Sequence, residues 1–224
     1  MIHKLERWAW WGGAMLAGNA GMVNAVALRS YAHQAVTHVT GTTSLLSLAM
    51  VHGDRAALAD LGIVLLAFSG GAAVGGFIIQ HATLRLGRRY GVALLIESVL
   101  LALAALLMRS HNAVGSYLAS AACGLQNAMA SSYSGTVLRT THLSGMFTDL
   151  GVIAGHGLRG LGVDWIRFRL YSTLIGSFVV GGIAGSLLFE RFAADTLYFP
   201  AGLIGIVAVA YTAYAHRKRK AART

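Results

Sequence analysis

The sequence predicts an all-α protein built into a membrane: a bundle of six spans plus two re-entrant half-helices, arranged as an inverted internal repeat. Three observations carry that expectation: a composition poor in charge, a set of motifs that occurs twice in the same order, and a one-sided distribution of basic residues. Of 224 residues, 56% are hydrophobic and 12% charged, whereas a soluble domain carries about 25% charged residues. Mean hydropathy is +0.62. One proline and one cysteine exclude a proline-rich disordered chain and a disulfide scaffold. A span takes about 20 apolar residues, so roughly six to eight spans fill the chain and leave no room for a separate soluble domain.

The elements follow in order. Residues 8–29 form the first long apolar run. It is too long for the core of a cleavable signal peptide, and Trp8, Trp10 and Trp11 at its start fit an interfacial aromatic belt. Residues 36–51 are shorter and open on Thr37-His38-Val39-Thr40-Gly41. A run of that length with polar groups at one end suits a re-entrant helix better than a full span. Long runs at 58–80 and 90–108 complete a first unit, 8–108. The second unit, 113–215, has long runs at 113–132, 170–190 and 197–215, and a short one at 140–156 that contains Thr141-His142-Leu143-Ser144-Gly145. Together the two units make one membrane domain spanning the chain.

The duplication rests on several matches. Gly21-Met22-Val23-Asn24-Ala25 recurs as Gly124-Leu125-Gln126-Asn127-Ala128, and the two Thr-His motifs recur in the same order. His52-Gly53 recurs as His156-Gly157, Asp60 is matched with Asp164, and the Gly-x-x-x-Gly element at 71–75 with that at 181–185. Offsets are 103 or 104 for all but the last, where the gap is slightly longer.

Charge placement separates two topologies. The 18 Lys and Arg residues outnumber 8 Asp and Glu, and the pI is about 10.4. In a soluble protein that would suggest nucleic acid, but no basic patch interleaves with aromatics, so no nucleic-acid partner is expected. The basic residues instead cluster between apolar runs and face lipid headgroups. With six spans and cytoplasmic termini, 14 lie inside and only Arg29, Arg55, Arg109 and Arg191 lie outside. The alternative of eight spans in a parallel repeat puts Arg85, Arg88 and Arg89 outside, against the positive-inside rule. Three spans per unit make the two halves run in opposite senses.

Polar residues at membrane depth mark the candidate site. In an inverted repeat the two glycine-broken segments enter from opposite faces and converge near the midplane, an arrangement that builds substrate sites in transporters. The expected substrate-binding residues are His38, Thr40, Gly41 and Asn24 from the first unit, and Asn127, His142, Ser144, Gly145 and Asp149 from the second. Hydroxyls and imidazoles supply donors and acceptors. Each of these has a bland counterpart: a histidine packing a turn, or an asparagine bonding one helix to another. Asn19 falls on a different helical face from Asn24, and Gln126 has the option of facing the interior. Asp149 shares a helical stripe with His142 and His156, a geometry for relaying protons or holding a cation. Glu97, close to Arg88 and Arg89 in sequence, is expected to pair with that loop. Cys123 reads as a small packing residue. The glycine pairs at 71–75 and 181–185 read as close helix-packing faces. No nucleophile elbow, P-loop or zinc-protease motif occurs, so no enzyme activity, cofactor or metal is expected.

Gly-x-x-Asn-Ala at 21–25, Thr-His-Val-Thr-Gly-Thr at 37–42, Gly-Leu-Gln-Asn-Ala at 124–128 and Ser-Gly-Met-Phe-Thr-Asp-Leu-Gly at 144–151 together resemble the YoaK family. The resemblance covers nearly the whole chain and implies a multi-span bacterial inner-membrane protein without an assigned activity. Members often carry Asp where this chain has Asn24 and Asn where it has Thr42, which leaves Asp149 as the ionisable group of the motifs.

The function expected is that of a membrane transporter or channel for a small polar or anionic solute, with proton coupling through Asp149 and the paired histidines as an option. A membrane-embedded metal-dependent enzyme and a non-transporting scaffold are the alternatives. The expected partners are the lipid bilayer, an unidentified small molecule and, as a further option, other copies of the chain.

Overall fold

A computed structural model describes residues 7–30, 33–79, 89–134 and 139–221. Lys4, Arg85, Arg88 and Arg223 of the basic clusters lie outside these residues. The described chain is helical, with α1 (Arg7–Arg29), α2 (Val39–His52), α3 (Arg55–Ile78), α4 (Arg89–Arg109), α5 (Val114–Ser134), α6 (Leu143–Leu158), α7 (Trp165–Phe192) and α8 (Tyr198–Ala221). A short 3-10 helix, Ala193–Leu197, joins α7 to α8. The only proline of the sequence, Pro200, stands in the first turn of α8, where its missing N–H has no helical partner to lose.

Three helical stretches among the described residues are long and apolar enough to cross a membrane: Arg55–Ile78, Arg89–Arg109 and Trp165–Arg217. Their outward faces carry large apolar side chains such as Leu66, Phe77, Ile206 and Val209, all exposed. The interior combines small residues, among them Ala17, Ala20, Ala104, Ala105, Ala119 and Ala122, with leucines such as Leu101, Leu125 and Leu170. Apolar groups outside and small residues between helices are what lipid, rather than water, selects.

Helix α1 packs on α7, and α3 packs on α5. Along α1 and α7, Gly18 meets Gly181, Met22 meets Gly185, and Arg29 pairs with Glu190 further on. The numbers rise together, so these helices run parallel. Along α3 and α5, Ser120 donates to the Val64 carbonyl and Gly71 meets Ala121, also in parallel. By contrast α4 runs antiparallel to α8, with Ser98 bonded to Ala201 and Gly91 against Thr212. It is likewise antiparallel to α5, to which it is joined by a short hairpin.

Both parallel crossings are made at glycines. A methyl group on Gly21 would collide with the Phe178 carbonyl, and one on Gly124 with the Phe68 carbonyl. One on Gly71 would meet Ala121, and one on Gly181 would meet Gly18, again at a carbonyl. Backbone approach of this kind excludes any Cβ, so the glycine pairs are packing faces.

One pairing read from sequence is corrected. Asp54 caps α3 by accepting from the Ala57 amide at 3.0 Å, and Asp164 caps α7 by accepting from the Arg167 amide at 3.1 Å. These two aspartates are the structural equivalents. Asp60 lies inside α3 and bonds elsewhere, so it is not the counterpart of Asp164. The caps also explain why α3 and α7 begin several residues before their apolar runs.

Candidate functional site

The chain breaks before α2 and α6 are held in the same way. Asn24 of α1 accepts the Thr37 amide at 3.2 Å, and Asn127 of α5 accepts the Thr141 amide at 3.3 Å. Asn127 also accepts from the Thr140 hydroxyl at 3.2 Å and bonds to the Thr141 hydroxyl. A backbone leaving one helix and starting another has unpaired amides, and these side chains satisfy them. Both asparagines are therefore occupied within their own half.

The histidines have a packing explanation. The His38 ring lies over Gly41, and the His142 ring over Gly145, where any Cβ would strike the imidazole. Glycine three residues after histidine is thus the space the ring needs. Neither ring forms a capping hydrogen bond to its helix.

The expected convergence of the two motifs is not what the fold presents. Among the described residues α2 packs on α3 and α6 on α7, with no packed interface between α2 and α6. His38, Thr40, His142, Ser144 and Asp149 are exposed, and Gly41 and Gly145 sit part-buried beneath their own histidines. Asp149 interacts with the Tyr171 hydroxyl of α7, while its spacing from His142 and His156 along α6 is the helical one the sequence implied. The physical reason is that each short helix buries one face against the long helix that follows it, Thr42 and Ala49 on α2 and Met146 and Ile153 on α6. No group of three metal-ligating side chains gathers among the described residues.

The polar interior lies elsewhere. Asn19 of α1 donates through Nδ2 to Glu97 Oε1 of α4 at 3.4 Å and to Gln126 Oε1 of α5 at 3.3 Å. Gln126 Nε2 donates to the Leu16 carbonyl and to Thr140 Oγ1, both at 2.8 Å. The chain of bonds runs from Glu97 through Asn19, Gln126 and Thr140 to Asn127. It joins three helices and the turn before α6. Glu97 and Gln126 are 1% exposed and Asn19 4%. Two acceptors in the network, Glu97 Oε2 and Asn19 Oδ1, have no hydrogen-bond partner among the described residues.

Glu97 therefore turns inward to α1; Arg88, one of the two residues it was expected to pair with, lies outside the described residues. A signal was present: Leu94, Glu97, Leu101, Ala104 and Met108 recur at helical spacing, and all are buried on one stripe of α4. Gln126 faces the interior as one sequence option allowed. Asn19, which helical phase separated from Asn24, proves to be the centre of the cluster.

Two spaces flank this network. A cavity of about 210 Å³ is bounded by Trp8, Met15, Leu94, Tyr211, Arg139 and Thr140. A groove of about 750 Å³ between α1, α7 and α8 is lined by Met15, Gly18, Asn19, Ser172, Thr173 and Ser177, among others. Met15 borders both. A separate polar cluster supports the first chain break, where Asp60 accepts from Gln34 and from the Tyr117 hydroxyl.

A family model described as a protein of unknown function, DUF1275, matches residues 12–210. YoaK is a member of that family, in agreement with the motifs at 21–25, 37–42, 124–128 and 144–151. No curated protein and no solved structure matches the chain.

Proposed function

The chain belongs to the DUF1275 family, whose function is unknown, and from its own geometry we propose that it is a bacterial inner-membrane transporter of a small polar solute. In this reading α1, α3, α4, α5, α7 and α8 are the six spans. Their alternating directions support it, since each long helix runs opposite to the next in sequence. Helix α2 has 14 residues and α6 has 16; at 1.5 Å per residue they rise about 21 and 24 Å, short of a hydrocarbon core of roughly 30 Å. They dip in from opposite faces and return, and the two halves form an inverted repeat with cytoplasmic termini. Asn24, Asn127, His38, Gly41, His142 and Gly145 shape the two breaks, while Thr40, Ser144 and Asp149 lie outside the solute path. No catalytic chemistry is assigned.

The observation that carries the reading is the pair of buried, unpartnered acceptors, Glu97 Oε2 and Asn19 Oδ1, between the cavity and the groove. A network that merely locks helices together satisfies all its members, because an orphaned polar group in hydrocarbon costs several kcal/mol. Two open acceptors instead suit a solute that brings N–H or O–H donors, which favours a neutral or cationic solute over an anion. Reconstituted vesicles provide the test, with urea, glycerol and ammonium as probes and light scattering as readout. Flux of at least one probe above that of protein-free vesicles is expected, reduced about tenfold or more by Asn19→Leu or Gln126→Leu. Identical rates in loaded and protein-free vesicles for all three would remove the proposal.

A further inference from the structure

We propose that Glu97 Oε2 is a proton-binding site, and that proton and solute are its alternate occupants. The coupling rests on the transport reading above, whereas the proton site stands on geometry alone. Glu97 is fully buried and receives one bond from Asn19 at Oε1, while Oε2, like Asn19 Oδ1, has no hydrogen-bond partner among the described residues. A proton needs only one oxygen to bind; a metal cation needs a shell of about six oxygen ligands.

Two spaces adjoin the residues that flank Glu97, though its own side chain lines neither. Leu94, one turn before Glu97, lines the cavity, and Asn19 lines the groove. The step is a simple exchange: the carboxyl group gives its proton to water entering through one of these spaces, and the carboxylate takes a proton or a solute donor in return.

The groups around Glu97 leave it as the exchanging site. From α5 the titratable neighbour is Cys123; Gln126 is neutral. Asn19 of α1 is neutral, and Arg29 stands at the far end of that helix, paired with Glu190. On α4 itself, Tyr90 lies two turns away and borders the cavity with Tyr211 of α8. Asp195 of the 3-10 helix is paired with Arg109 at the other end of α4. From α3, Ile78 and Ile79 reach the α4 cluster as apolar groups.

Infrared difference spectra of the full chain between acid and alkaline pH test the site. A carboxyl C=O band from a solvent-shielded group is expected to disappear at alkaline pH. It should be absent from Glu97→Gln and retained in Asp149→Asn and Asp60→Asn. Should Glu97→Gln fail to fold, 13C-glutamate labelling of the unmodified protein keeps the question open to a decision. The sequence has three glutamates, Glu6, Glu97 and Glu190, so a shielded band shifted by the label and kept in Glu6→Gln and Glu190→Gln belongs to Glu97. No titrating glutamate band over the folded range, or a band that follows sodium and not pH, overturns the proposal. A titrating band without solute flux leaves the proton site and removes the transport reading; flux without titration does the reverse.

Discussion

Asn127 receives two donors from the chain break and Asn24 receives one amide. Removing either side chain leaves buried donors unmatched, at about 1–3 kcal/mol each. Asn127→Ala is therefore expected to lower the apparent melting temperature in detergent more than Asn24→Ala does. Equal or reversed effects would show that the asparagines are not anchoring the breaks. Gly41 and Gly145 are different, because the atoms in the way belong to imidazole rings on exposed side chains. Those rings have room to rotate, so Gly145→Ala is expected to be mild, and its effect is expected to vanish in the background of His142→Ala.

At the scale of elements, stability lies in two backbone-to-backbone crossings. Gly70 and Gly71 are neighbours on α3, yet an added methyl meets nothing at Gly70 and the Ala121 carbonyl at Gly71. Gly71→Ala is expected to cost about 1–3 kcal/mol by forcing the helices apart. Gly70→Ala should be neutral or stabilising by up to about 1 kcal/mol through helix propensity. Thermal unfolding of the two variants side by side checks this, and similar losses would count against close packing of α3 on α5. Helix caps are the second elemental term. Asp54→Ala and Asp164→Ala each remove the one side-chain acceptor at a helix start, worth about 1 kcal/mol. The long apolar runs coincide closely with α1, α4 and α5, whereas α3 and α7 start before their runs and α8 continues beyond its own, because an apolar run marks the centre of a helix and not its ends. Sequence reading misassigned the partner of Asp164, because a cap is recognised by its position relative to a helix start, which the apolar run alone does not mark.

For the molecule as a whole, the six-span reading makes a sided prediction. With Cys123 replaced by Ala, single cysteines at Arg55 and Arg159 are expected to react with an impermeant maleimide from opposite faces of the membrane. Labelling from the same face would support a parallel arrangement and remove the inverted repeat. Composition and the apolar runs were enough to read a helical, apolar chain, because each is a property of local order along the chain. The location of the polar centre was not legible in that way. Glu97, Asn19 and Gln126 come from three helices, 78 and 107 residues apart between bonded pairs, and no spacing rule connects them. Repetition drew attention to the paired histidines, yet repetition marks whatever a fold needs twice, and here that is a turn. Which polar groups are buried together is set by the crossing of helices distant in sequence, where the absence of water makes hydrogen bonds between them obligatory, and only the tertiary structure decides it.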